Sequence, residues 1–137
     1  MDRSSGVADR LHSIAIRVLR HAREADRESG LGPARLSALS VLAYGGACTL
    51  GELASAEQVT AATMSRVFAG LESLGLAERR RSSDDARATV VNATRKGKAL
   101  LERARAARLR RVRELLDKAS SREVSALGDA LDAVFPH

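Results

Sequence analysis

The chain has 137 residues, a formal net charge of +6 and an aromatic content of only 2%. This length predicts one domain, or one domain with arms for assembly. With so few aromatics the core must be built mainly from Leu, Val and Ala, which favours close-packed helices over a large sandwich. The basic balance favours nucleic acid or an anionic membrane surface as partner, although abundant Arg and Ala are also typical of a GC-rich genome.

The single cysteine, Cys48, cannot form a disulfide within the chain, so a reducing cytosol is expected. The first ten residues contain no apolar signal segment, and no stretch approaches the ~18 apolar residues of a membrane span. We therefore expect a cytoplasmic protein that does not enter a membrane.

The first segment is predicted to be an amphipathic helix of about twenty residues that ends near Glu28. Its apolar residues recur at three- and four-residue steps: Val7, Leu11, Ile14, Val18, Ala22 and Ala25. Little chain precedes this helix, so we expect it to pack on the C-terminal helices or on a second subunit.

The next three helices are short, and each has its own start signal. Pro33 fits the first turn of the second helix, which ends at Gly45 and has its buried face at Leu36, Leu39, Leu42 and Ala43. Thr49 and Glu52 predict a capping box for the third helix, "LGELASAE". Thr60 is predicted to cap the fourth helix, whose apolar stripe is Met64, Val67, Phe68, Leu71 and Leu74. Two short helices joined by a tight turn predict a helix-turn-helix.

The segments "LAERRRS" and "RATVVN" predict a β-hairpin with "SDDA" between them. A helix then runs from Thr94 to about Ala119, with one apolar face at Leu101, Ala104, Leu109, Val112 and Leu116. Ser120 or Ser121 caps a last helix with Val124, Leu127, Leu131 and Val134 as its stripe.

This order of elements predicts a mainly α fold with a small β-hairpin wing, that is, a winged helix-turn-helix with N- and C-terminal dimerisation helices. The predicted domains are an N-terminal dimerisation helix over 1–30, a DNA-binding domain over 31–95 and C-terminal dimerisation helices over 96–137.

The second helix of a helix-turn-helix enters the major groove with its N-terminal residues near the base edges. Here the candidates for those contacts are Thr60, Ala61, Ala62, Thr63, Ser65 and Arg66. The alternative is an ordinary capped helix with small exposed residues.

In the hairpin, Arg79, Arg81 and Arg87 are candidates for groove and phosphate contacts, and Asp85 is expected to fix the loop by pairing with an Arg. The alternative there is a solvated run of charges at a turn.

The stretches "TLGELA", "TAATMSRVFAGLESLGLAERR" and "DDARATVVNATRKGKALL" resemble the MarR family of winged-helix transcriptional regulators. The wing motif of that family falls on Asp85, Arg87, Val90, Thr94 and Gly97. The chain departs from the family pattern at Ala61, Ala62 and Ala93, so specificity is expected to depend more on Arg66 and the wing. The resemblance implies a homodimer with interleaved terminal helices on a near-palindromic operator, and the two apolar terminal helices agree with this.

The resemblance also implies a small phenolic or carboxylate effector between the dimer helices and the DNA-binding lobe. His12, Arg17, His21 and Tyr44 are candidates to line its site. Arg105 and Arg108 fall within the apolar stripe of the fifth helix, where they could form ion pairs across the dimer or bind an anionic effector. Some relatives sense oxidants through a Cys, but this chain has no second Cys to resolve a sulfenic acid at Cys48.

These observations favour a double-stranded DNA-binding transcriptional regulator, most often a repressor in proteins that resemble this one. The alternative is a protein-interaction module on a winged-helix scaffold that has lost specific DNA binding. An enzyme is not expected, because the carboxylates and histidines do not cluster in the sequence. No cofactor or metal is expected either, because the sequence contains no Gly-rich phosphate loop and no Cys/His set with metal-ligand spacing.

Overall fold

The computed structural model describes residues 2–81 and 89–137, and all structural statements below concern these ranges. The described chain forms a mainly helical winged helix-turn-helix, which confirms the predicted fold class. Its helices and strands are α1 (Arg3–Arg23), a 3₁₀ helix (Glu24–Ser29), α2 (Pro33–Gly45), β1 (Cys48–Thr49), α3 (Leu50–Ala56), α4 (Ala61–Ser73), β2 (Ala77–Arg81), β3 (Thr89–Ala93), α5 (Arg95–Leu116) and α6 (Ser121–Val134).

Hydroxyl side chains begin four of the six α-helices described, and three of these caps, at α3, α4 and α6, were predicted. Thr49, Thr60, Thr94 and Ser120 each accept a hydrogen bond from the backbone N–H three residues later. These bonds satisfy donors that the first helical turn leaves without an intrahelical partner. The full reciprocal capping box lies at Ser120 and Glu123. At Thr49 the Glu52 carboxylate instead accepts from the Thr49 hydroxyl at 3.2 Å.

The sheet has three strands in the order β1-β3-β2, and both pairings are antiparallel. The sequence analysis did not predict β1. A two-residue strand has no periodicity of its own, and its pairing of Cys48 with Val91 joins residues far apart in sequence. This pairing attaches the start of α3 to the base of the wing.

The hydrophobic core lies among α2, α3, α4, the sheet and the N-terminal half of α5. Its largest fully buried side chains are Phe68, Leu39, Leu42, Leu53, Met64, Leu71 and Val91. Aliphatic side chains therefore form most of this core, as the composition predicted.

The carboxyl end of α4 is hydrogen-bonded to the amino end of α5. The Thr94 hydroxyl donates to the Gly75 carbonyl at 2.6 Å, and Lys96 Nζ donates to the Leu74 carbonyl at 2.9 Å. Gly97 lies so close to this point that a Cβ atom there would be 2.2 Å from the Leu76 carbonyl oxygen. The first turn of α5 thus satisfies the carbonyl groups that α4 leaves unpaired.

The predicted apolar face of α5 is only partly buried within this chain. Leu101, Ala104 and Ala107 are buried. The rotation of 100° per residue places Val112 beside Leu101 on that face, and Val112 and Leu116 are half-buried. Leu109, at the edge of the predicted face, is 45% exposed.

The helix α6 has no buried residue within this chain. Its apolar stripe of Val124, Leu127, Leu131 and Val134 is exposed, as are Val7, Leu11 and Ile14 of α1. A helix of this length with an unburied apolar stripe is marginal in water by itself.

Candidate DNA-binding surface

The amino end of α4 is capped and exposed. The Thr60 hydroxyl oxygen accepts from the Thr63 N–H at 3.1 Å, and the two hydroxyl groups lie 3.0 Å apart. Ala61, Ala62, Ser65 and Arg66 are exposed and Thr63 is half-buried. The opposite face of α4 contributes Met64, Phe68 and Leu71 to the core. All six predicted recognition-helix residues therefore lie together at the amino end of α4.

The turn between α3 and α4 fixes the angle of the recognition helix. Gln58 adopts the left-handed conformation with φ 56°, which is uncommon for a residue that has a Cβ atom. The Gln58 N–H donates to the Ser55 carbonyl and the Val59 N–H donates to the Ala54 carbonyl. These two bonds terminate α3 and allow the chain to enter α4.

The wing strands place the predicted basic residues on both faces of the hairpin. Arg79 pairs with Val91, Arg80 with Val90 and Arg81 with Thr89. Because side chains alternate along a strand, Arg79 and Arg81 share a face with Ala77, and Arg80 lies on the other face. Arg81 is exposed. The predicted contacts Asp85 and Arg87 lie outside the described residues.

The structure also gives Arg79 a partner within the chain. Its Nε lies 3.1 Å from Glu72 Oε2 on α4, and its guanidinium carbon lies 4.8 Å from the centre of the Phe68 ring. The prediction of Arg79 as a DNA contact did not include this ion pair.

A sequence model of the MarR family matches residues 29–88. The chain is 32% identical to an HTH-type transcriptional regulator of Mycobacterium leprae, ML2140, over 98% of this chain and 94% of that protein. It is 33% identical to the HTH-type transcriptional regulator MT0903.1 of Mycobacterium tuberculosis with the same coverage. The chain belongs to the MarR family. It is a transcriptional regulator of the MarR type, and its family and relatives are not enzymes.

Two solved structures share this fold. The transcriptional regulator Tm0710 of Thermotoga maritima matches with a TM-score of 0.85 at 24% identity, over 95% of this chain and 92% of that one. A mutant of Staphylococcus aureus MepR bound to an oligodeoxyribonucleotide matches with a TM-score of 0.74 at 20% identity, over 93% of this chain and 94% of that one.

Sequence analysis of this MarR-family chain missed one basic residue next to the recognition helix. The guanidinium of Arg35 on α2 lies against α4 at Gly70, where a Cβ atom would be 2.5 Å from it. Gly70 follows Arg66 by four residues, so Arg35 lies on the same face of α4 as Arg66. The only sequence signal was a glycine inside a helix.

The candidate effector residues of this MarR-family protein lie in several places. Tyr44 is exposed at a cleft of about 140 Å³, which it lines with Ala43, Lys98, Leu101 and Glu102. His21 Nε2 lies 4.0 Å from Glu114 Oε2. Leu101 and Glu114 are thirteen residues apart on α5, about 20 Å along the helix. His12, Arg17 and Arg105 are exposed. The six residues therefore do not line one site within this chain.

Arg108 has a partner in its own chain. Its Nε and Nη2 donate to Asp26 Oδ1 and Oδ2 at 2.6 and 2.5 Å. The hydrogen bond to Asp26 raises the pKa of Arg108 above its already high usual value, against a smaller lowering by burial. Within this chain Arg108 therefore pairs α5 with the 3₁₀ helix.

Cys48 lies half-buried in β1. Burial raises the pKa of its thiol, and the charge of Glu52 raises it further. These effects favour the neutral thiol, which is less reactive toward oxidants than the thiolate.

Two further features are absent from residues 2–81 and 89–137. No cluster of three His, Cys, Asp or Glu side chains there could hold a metal ion. None of the helices described is long and apolar enough to cross a membrane.

Proposed function

We propose that this MarR-type regulator is a homodimeric repressor that binds a near-palindromic operator in double-stranded DNA. The observation that carries the proposal is the exposed amino end of α4, where Thr60, Ala61, Ala62, Thr63, Ser65 and Arg66 lie on one surface. Hydroxyl groups and Arg66 can bind phosphates and base edges, and the small Ala side chains allow close approach to thymine methyl groups.

In this proposal the wing binds the flanking minor groove through Arg81 and Arg87, and Asp85 fixes the loop by pairing with an Arg. Arg81 is exposed at the end of β2, four residues beyond the buried Ala77. An arginine in a narrow minor groove is stabilised by the strong negative potential there. Arg35 and Arg66 add positive charge on the adjoining face of α4.

The exposed stripes of α1 and α6 support the homodimer. A second copy of the chain would cover the apolar residues that α6 leaves in water, and it would place a second α4 about one DNA turn away. On this basis 1–30 and 96–137 serve as dimerisation segments and 31–95 as the DNA-binding domain.

We extend the proposal to a small carboxylate or phenolic effector at the cleft between α2 and α5. Its volume of about 140 Å³ is close to that of a cavity that holds one benzene ring. Lys98 can pair with a carboxylate there, and the Tyr44 hydroxyl can donate a hydrogen bond. Benzoate should weaken operator binding by the wild type, and Lys98→Gln should remove that response without changing operator affinity in its absence. An equal response of both proteins would contradict this site.

Selection of bound fragments from a random duplex pool tests the main function. We expect an enriched site with inverted half-sites about one turn apart, and an affinity that falls with salt at about 0.9 log units per neutralised phosphate. The alternative function is a protein-interaction module on the same scaffold. Weak binding without an enriched site would favour that module and contradict the repressor.

A further inference from the structure

The wing is attached to the recognition helix at two points. The first is the short connection from Ser73 to Ala77, which includes Gly75 in the left-handed conformation with φ 73°. The second is the contact of Arg79 with Glu72 and Phe68 described above. Glu72 lies in the last turn of α4 and Arg79 lies in the middle of β2, so their contact spans the angle between helix and strand.

The side-chain direction of Arg79 is set by the core. Its cross-strand partner Val91 is fully buried, and Ala77 on the same face of β2 is also buried. Alternation along the strand therefore directs Arg79 toward α4. Its guanidinium covers the Phe68 ring in a cation–π contact, and its Nε donates to both Glu72 carboxylate oxygens at 3.1 and 3.4 Å.

We propose that Arg79 and Glu72 are positioning residues that set the angle of the wing to the recognition helix, and that Arg79 does not neutralise a DNA phosphate. This inference rests on the proposed DNA-binding function. A basic residue next to the DNA surface would ordinarily be assigned to phosphate binding, and Glu72 would then be an unfavourable charge near DNA. With Arg79 paired to Glu72, neither residue contacts DNA. The pair instead holds the wing in the position from which Arg81 reaches the DNA.

The two roles give opposite expectations for Glu72→Gln. If Arg79 binds a phosphate, removal of the Glu72 charge frees it and reduces repulsion, so operator affinity stays equal or increases. If the pair positions the wing, the same change weakens operator affinity. We expect a loss of about two- to five-fold, because both side chains are about 40% exposed and such pairs are worth about 1 kcal/mol or less.

The experiment compares operator affinity over a range of salt for wild type, Glu72→Gln, Arg79→Gln, the double variant and Arg81→Gln. We expect each single change of the pair to weaken affinity by a similar factor, and the double variant to be no weaker than either, because the two residues act as one unit. Arg81→Gln is the matched control on the same strand face. It should lower the salt slope by about 0.9, as expected for one lost phosphate contact.

The outcomes separate this inference from the proposed function. If Arg79→Gln alone lowers the salt slope as Arg81→Gln does, while Glu72→Gln keeps or tightens affinity, Arg79 is a phosphate contact and the inference is wrong although the function stands. If the wild type enriches no operator, the proposed function fails with it. Arg79→Lys is a milder variant that is less liable to misfold. It keeps the positive charge of Arg79 but loses the planar guanidinium group. It should keep the salt slope and still weaken affinity.

Discussion

Asp26 and Arg108 form a two-bond ion pair that joins the 3₁₀ helix to α5 across 82 positions of sequence. Two weaker pairs flank it, Glu24 with Arg111 and Glu28 with Arg110. Acidic side chains at every second residue of the 3₁₀ helix thus face arginines on α5. The Asp26 pair is the least exposed of the three on its acidic side.

Asp26→Asn is expected to lower the free energy of unfolding by about 1 kcal/mol, after allowance for solvent screening at a partly exposed arginine. Glu28→Gln is the matched control, because its pair with Arg110 is more than half exposed, and it should change the same quantity by less than about 0.5 kcal/mol. Denaturant unfolding at one fixed protein concentration measures both. Equal effects of the two variants would mean that the geometry of the Asp26 pair adds nothing to its strength.

Gly97→Ala and Gly70→Ala should have opposite effects on stability. At Gly97 a Cβ atom would meet the Leu76 carbonyl oxygen at 2.2 Å, and backbone at a packed joint cannot easily move. We expect a loss of about 2–3 kcal/mol in the free energy of unfolding. At Gly70 the neighbour is the end of the flexible Arg35 side chain, so the helix propensity of Ala should give a gain of up to ~1 kcal/mol.

Thermal and denaturant unfolding of both glycine variants checks this pair of predictions. A destabilised Gly70→Ala would show that Arg35 is held in place more firmly than its exposure indicates. An unaffected Gly97→Ala would contradict the close approach of α5 to the end of α4.

Gln58→Gly should stabilise the helix-turn-helix by up to about 1 kcal/mol. Gln58 has φ 56°, a conformation that costs a residue with a Cβ atom about 1–2 kcal/mol, and the greater freedom of Gly in the unfolded chain offsets part of that gain. The matched control is Ala56→Gly, at the end of α3, which should destabilise by about 0.5–1 kcal/mol. Destabilisation by both changes would mean that the left-handed turn carries no strain.

Leu131→Asp should dissociate the proposed homodimer. Leu131 belongs to the exposed stripe of α6, and burial of an unpaired carboxylate in an apolar interface should weaken association by at least about 100-fold. Ser125→Asp is the control, because Ser125 lies on the opposite face of α6, and it should leave association unchanged. Sedimentation equilibrium measures both, and a dimer of normal strength with Leu131→Asp would place the interface elsewhere.

Local signals in the sequence predicted most of the fold. Thr49 and Thr60 could be recognised as caps because a cap depends only on a hydroxyl and the next three residues. The N-terminal residues of α4 could be placed on one surface because helical periodicity fixes which side of the helix is buried.

The features that sequence analysis missed depend on contacts between distant segments. β1 exists because Cys48 meets Val91, the inward direction of Arg79 follows from its pairing with Val91, and Arg108 joins the buried side of α5 because Asp26 reaches it. The location of Arg35 beside α4 similarly depends on how two helices pack. None of these contacts leaves a periodic pattern in the sequence.

The hydrogen bonds of Thr94 and Lys96 fasten the carboxyl end of α4 to the amino end of α5. The recognition helix would therefore move together with α5 about this end. The thirteen residues of α4 span about 20 Å from that end to its tip at Ala61. A tilt of about 10° in α5 would therefore carry the tip about 3.5 Å, which is close to the ~3.4 Å rise per base pair along the DNA axis. A small rotation of α5 would thus displace the amino end of the recognition helix by about one base-pair step along the DNA.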